Sequence, residues 1–253
     1  MKHVLAHPLG RLIAFVLLWE LAARSGMLNM QIIASPADML AAARADGMIF
    51  LKAFRLTLFE IFVSVALAWA AGIAFGLLAG TIPAVGTASA PLLIASMAVP
   101  LVIIYPLLMA WIGIGPESKI AIGAIAGVLP VAINTIVGVR NVERRYLSMA
   151  LAMGARPWQA RIQVLLPLAL PAIVAGLRVG TSLVIIHVLV CEMLASTDGV
   201  GFWISYHRSL LNPGHVYLGI ALALAVGWGA NAALTQLQQR LGRWRLMESG
   251  TGS

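Results

Sequence analysis

The chain has 253 residues, of which 61% are hydrophobic and 10% charged, with a formal net charge of +8. Soluble domains are roughly half apolar and about a quarter charged, so there is too little polar surface here to coat a water-soluble body, and a mean hydropathy of +0.95 places the chain in a bilayer. The lone Cys191 excludes intramolecular disulfides, no Cys/His cluster has metal-ligand spacing, and no glycine-rich phosphate loop ends in Gly-Lys-Ser or Gly-Lys-Thr. Any nucleotide chemistry must therefore come from another chain. The lysines and arginines are spread between apolar runs rather than gathered on one face, which speaks for topology signalling and against nucleic acid.

Six apolar runs follow in chain order, at about 9–27, 57–82, 91–114, 118–139, 168–195 and 215–236. Each is close to the ~20 residues that a helix needs to cross ~30 Å of hydrocarbon, so the expected fold is an all-α membrane protein with about six transmembrane helices. The first run also resembles a signal peptide, with Lys2, His3 and Arg11 as its basic start. Glu20 inside the run fits that poorly and five more runs follow, so we read it as a retained span. With the N-terminus inside, the inner segments hold Lys2, Arg11, Arg140, Arg144, Arg145, Arg156, Arg161, Arg240, Arg243 and Arg245. The outer segments hold Arg24, Arg44, Lys52, Arg55, Lys119 and Arg208. This excess places both termini in the cytoplasm.

Glycines recur at four-residue spacing in three runs: Gly72, Gly76 and Gly80; Gly123 and Gly127; Gly176 and Gly180. Such spacing puts them on one helix face and lets backbones approach closely, as helices do in lipid. The third run carries Pro91, Pro100 and Pro106, each of which removes a backbone donor. This predicts a bent helix, placed either beside a pathway or in plain packing.

Between the fourth and fifth runs, residues 140–167 are too polar to cross and too rich in helix formers to be an irregular loop. One short helix is expected over 146–153, with Gly154 as a left-handed stop; Pro157 then opens a second that Pro167 breaks. The second helix is expected to place Trp158, Ile162 and Leu165 on one face, suited to a membrane surface or to a partner's groove.

The run from Ser148 through Ala150, Gly154, Ala155, Pro157, Trp158 and Leu165 to Pro167 resembles the cytoplasmic signature of bacterial ABC importer permeases: Glu-Ala-Ala, three residues, Gly, then Leu-Pro at a fixed distance. Ser148 stands where that signature has glutamate, and Met149 where it has alanine. Two further stretches resemble the nitrate, sulfonate and taurine permeases. One is Pro106-Leu107, Trp111 to Gly115 and Ser118-Lys119-Ile120, with Pro116 where an acidic residue is usual. The other is Gly176-Leu177-Arg178, Glu192 and Gly199-Val200-Gly201, with Ile185 and His187 as departures. The resemblance covers about 55–235. It implies the type I importer permease fold, a five-helix core plus an N-terminal helix, as a single domain over 1–253 with a core at 55–240 and coupling helices at about 143–167. It also implies a homodimer in the bacterial cytoplasmic (inner) membrane that moves a small oxyanion such as a sulfonate, taurine or nitrate. Its partners would be a cytosolic ATPase holding ATP and Mg, and an extracytoplasmic substrate-binding protein. The chain itself would bind no cofactor and no metal. Relatives that carry vitamin precursors or aromatic acids keep that substrate class open.

Four residues are candidates for the translocation pathway: Tyr105, Arg178, His187 and Glu192. Arg178 lies about eleven residues into its run, ~16 Å from the inner end, where a charge faces protein or water rather than lipid. It reads as an attractor for an anion or as a structural arginine paired across helices. Glu192 lies fourteen residues on, ~21 Å higher, and reads as an outer anchor or gate. Tyr105 adjoins the kink at Pro106 and lines a pathway or fills space between helices. His187 and Cys191 share a face at four-residue spacing, the minimum for a nucleophile and its base. Nothing in the sequence orients that pair, and a small buried thiol is ordinary packing. A self-powered transporter would show internal symmetry or acidic relays; the sequence displays neither.

Overall fold

The structure, a computed structural model, describes residues 8–25 and 33–248, and among them every regular element is helical. In order these are α1 (Pro8–Arg24), α2 (Pro36–Thr81), α3 (Pro83–Met97), a 3-10 turn (Leu101–Ile104), α4 (Tyr105–Ile112), α5 (Pro116–Arg140), α6 (Arg144–Ala152), α7 (Pro157–Ala160), a π turn (Arg161–Leu165), α8 (Leu166–Ala195), α9 (Val200–Ser209) and α10 (Pro213–Glu248). Four of the described helices are long and apolar enough to cross a bilayer, Pro36–Thr81, Pro116–Arg140, Pro157–Ala195 and Pro213–Gln239; α3 and α4 make a fifth if the bent pair is one span. The first expected run is helical over 17 residues, or ~26 Å.

The chain divides into two units. One comprises residues 1–58 and 189–226. Here Glu20, the charge that interrupts the first run, accepts the Ala37 amide at 3.0 Å and the Arg24 Nε at 2.5 Å. It thereby satisfies one of the donors that the first turn of α2 leaves open. Helix α2 deviates from helical geometry at Asp46 (φ −122°), whose Oδ2 lies 3.0 Å from Nε2 of His215. His215 stacks on His207 with ring centroids 4.2 Å apart, and Trp203 meets Phe50 edge-on at 5.0 Å.

His207 is buried, and its Nδ1 has no hydrogen-bond partner among the described residues. Burial first, and His215 second, push its pKa below the ordinary 6.5, while Asp46 works the other way. The folded state thus prefers the neutral ring, and the unfolded chain binds the proton more readily. The stability tied to this ring is complete above pH 6.5 and is lost as pH falls through the folded value. Thermal unfolding in detergent is expected to shift to lower temperature on acidification, and His207→Phe should flatten that dependence. An identical acid slope in the variant would place the titration elsewhere.

The second unit comprises residues 59–188 and 227–253. Its helices pack on the expected glycines. Gly72, Gly76 and Gly80 of α2 face Val131, Thr135 and Val139 of α5, and a Cβ on Gly180 of α8 would sit 2.9 Å from the Gly127 carbonyl of α5. Around this seam Val131, Val139, Leu165, Ala169, Ile173 and Leu177 form a core covered by Trp69, Ile73 and Leu77.

The third run is bent as expected, α3 and the Leu101–Ile112 segment meeting at 84°; two other expectations are corrected in this unit. Pro100 caps the 3-10 turn in an extended conformation and Pro106 opens α4, each lacking the amide that would continue a helix. Pro167, conversely, breaks nothing: Pro157–Ala195 runs on as one 39-residue helix. The π turn, closed by the Leu166 amide on the Arg161 carbonyl, widens the backbone just before the proline ring and relieves the clash it would otherwise make. The same turn splits the expected apolar face, because Leu165 is buried while Trp158 and Ile162 are exposed. Second, Lys119 is more than a flanking topology charge. It is buried in α5 with its Nζ 2.5 Å from Oε1 of the fully buried Glu60 on α2.

Candidate functional site

The 144–165 segment is a helix–turn–helix whose turn is set by Gly154. Helix α6 closes with the Gly154 amide on the Leu151 carbonyl and the Ala155 amide on the Ala150 carbonyl, both at 3.0 Å. This double closure needs a left-handed residue, and Gly154 has φ +90°. Pro157 then takes the first turn of α7, and Gln159 Oε1 accepts the Arg156 amide at 2.8 Å. Ser148, Tyr146, Met149, Met153, Trp158 and Ile162 are exposed on this hairpin. Met153 is 87% exposed, and exposed apolar residues grouped in this way are suited to a contact surface. Leu147 and Leu165 face the other way, Leu165 within the core and Leu147 against it.

A second polar constellation lies between α8 and α10. Arg178 Nε donates to Asn231 Oδ1 at 2.5 Å, and both residues line a cavity of about 570 Å³ together with Ser182 and Gln238. Among the described residues no carboxylate pairs with Arg178. The guanidinium is therefore held by a neutral amide beside the cavity. Asn231 was missed from the sequence, although Asn231, Thr235 and Gln238 repeat at helical spacing through an otherwise apolar run.

The remaining candidates do not join that cavity. Glu192 is 1% exposed; its Oε1 accepts the Thr57 hydroxyl and its Oε2 the Gly201 amide, both at 2.7 Å, while the Thr57 oxygen accepts the Val200 amide at 2.9 Å. This explains the Gly199-Val200-Gly201 run. Gly199 has φ +107°, and a Cβ there would overlap the Glu192 carboxylate. Glu192 thus fixes the turn into α9, a role that requires Thr57, for which the sequence carries no signal. Tyr105 is 1% exposed and begins α4. His187 is half-buried, its Nδ1 2.8 Å from the Leu183 carbonyl of its own helix. Cys191 is wholly buried.

A family model described as binding-protein-dependent transport system inner membrane component matches residues 72–244, most of the chain. The chain belongs to this family. It is the membrane-embedded permease subunit of an ABC importer. The permease is 34% identical over 157 residues to the riboflavin transport system permease protein RibX of Chloroflexus aurantiacus, covering 62% of this chain and 59% of that one. It is 33% identical over 173 residues to the taurine transport system permease protein TauC of Escherichia coli, covering 68% and 63%. A probable ABC transporter permease protein of Haemophilus influenzae matches over 89% of this chain and 92% of its own length, at 26% identity. The matched segment is thus about three-fifths of the riboflavin and taurine permeases. Among solved structures, a chain of the MetNI methionine ABC transporter in inward-facing conformations superimposes with a TM-score of 0.67 at 18% identity, over 77% of this chain and 96% of that one. An amino acid ABC transporter chain gives 0.61 at 15%, over 81% and 97%. These two establish the shared fold.

Proposed function

We propose that this permease imports a small anion of the sulfonate, taurine or nitrate class. The observation that carries this reading is the unpaired charge of Arg178 beside a cavity between α8 and α10. A positive group in a low-dielectric site raises the local concentration of anions, and similarity to the taurine permease supports the same class. Two copies of the chain form the transporter and share the pathway. Both termini and the 144–165 hairpin lie on the cytoplasmic side, where the exposed Met149, Met153 and Trp158 enter a groove on the ATPase. ATP and Mg bound there close the ATPase pair, draw the hairpins together and tip the spans outward, and a binding protein then releases substrate. The drive comes from the different affinities of the ATPase for nucleotide in the two states. A vitamin-precursor substrate is the second reading, favoured by similarity to the riboflavin permease and to the formylaminopyrimidine transport permease protein ThiX of Halalkalibacterium halodurans.

Uptake into proteoliposomes with purified binding protein tests the role of Arg178. Arg178→Gln should lower uptake with assembly intact, and Arg178→Lys should restore part of it through charge alone. A structural fork behaves differently, because lysine cannot reproduce the geometry of arginine. Equal failure of both variants, or loss of the complex in Arg178→Gln, would make Arg178 a packing residue and remove the support for an anion.

A further inference from the structure

A second cavity of about 570 Å³ lies where α2 and α5 end and the 144–165 hairpin begins. Its lining contains Arg140, Arg144 and Arg161 and no acidic residue. The nearest acid in sequence, Glu143, is taken by Arg145 at 2.6 Å. Arg140 is exposed but anchored: its Nη2 donates to the Pro83 carbonyl at 3.3 Å, and the guanidinium occupies the space that a side chain on Gly86 would fill. The hydroxyls of Thr81 and Thr87, also in the lining, are spent on carbonyls of their own helices. The arginines are therefore the donors that this cavity offers. Its other walls are apolar, from Val139, Val142, Leu147, Leu151 and Leu165.

Three arginines over an apolar wall, at the ends of the apolar helices α2 and α5, match a ligand with a phosphate at one end and hydrocarbon at the other. Arginine binds phosphate oxygens with paired donors, and basic pockets between spans at the headgroup level take anionic lipid heads. The geometry points to a site for the phosphodiester of an anionic phospholipid, its acyl chains leaving along the apolar wall. Because Arg140 belongs to α5 while Arg144 and Arg161 belong to the hairpin, the bound phosphate ties the spans to the contact surface, on the face of the hairpin away from Met149 and Met153. This holds whatever the transported substrate is. It makes transport sensitive to the lipid composition of the leaflet at that end.

The test is lipid retention by the permease co-purified with its ATPase, measured by native mass spectrometry on titration with phosphatidylglycerol, with phosphatidylcholine and with inorganic phosphate. Arg144→Gln, Arg161→Gln and their combination change exposed side chains, whereas Arg140 is left alone because it packs on Gly86. Phosphatidylglycerol should be retained over phosphatidylcholine, and each substitution should weaken it about five-fold, while Lys52→Gln, outside the cavity, should change nothing. Equal retention of phosphatidylglycerol by the double variant would overturn the site. Displacement by millimolar inorganic phosphate would assign the cavity to a soluble anion and overturn the lipid as its source.

Discussion

Lys119→Met is expected to be among the most destabilising single substitutions in this permease. The ammonium it removes lies 2.5 Å from Glu60, whose side chain is fully buried. Removing one partner of a buried pair leaves the other as an uncompensated charge in a low-dielectric interior, at about 3–5 kcal/mol. Glu60→Met should do similar harm for the same reason. The double variant should recover most of the loss, because packed apolar side chains of similar size replace a buried pair with little or no penalty. The measurement is thermal unfolding in detergent for the four members of the cycle, with the coupling taken from the departure from additivity. Additive losses, or single variants that melt like the wild type, would show that the pair is solvated and that the α2–α5 link does not depend on it.

That pair also shows where the sequence is legible and where it is not. Gly72, Gly76 and Gly80 announce a close helix contact because four-residue spacing is a local, one-dimensional property, and the structure places all three against α5. Gly154 is legible for the same reason: a left-handed stop before Pro157 is encoded within four residues. Lys119 near the start of an apolar run looks like a flanking topology charge until Glu60, 59 positions earlier, is brought against it. Glu192 is likewise visible as an intramembrane acid, yet its work on the Thr57 hydroxyl spans 135 residues and is fixed by packing. Pro167 fails in the opposite sense. Its local rule predicts a break, and a π turn over Arg161–Leu165 absorbs the ring instead. A turn of that kind has no residue signature; it is chosen because the long helix is held on both sides by Leu165, Ala169 and Ile173 in the core.

Gly154→Val is expected to uncouple the permease from its ATPase, and the reason is confined to the backbone. A Cβ at this position meets no atom within 4 Å, so steric crowding by neighbours contributes nothing. The penalty comes from φ +90°, a conformation that costs an L-residue roughly 1–2 kcal/mol, with a β-branched side chain the worst case. Relieving that strain moves φ to a negative value and opens the two closing bonds, from Gly154 to Leu151 and from Ala155 to Ala150. Pro157 and Trp158 then leave their place relative to Met149 and Met153, and the surface proposed to dock on the ATPase is lost. A shift of this energy corresponds to about a five- to thirty-fold fall in the population of the docked hairpin, and uptake and ATPase co-purification should fall together. Gly154→Asn is the discriminating control, since asparagine enters the left-handed region at small penalty and should retain both activities. If Gly154→Val co-purifies its ATPase and transports as well as the asparagine variant, the hairpin is not the docking element, and the exposed apolar residues on it serve some other contact.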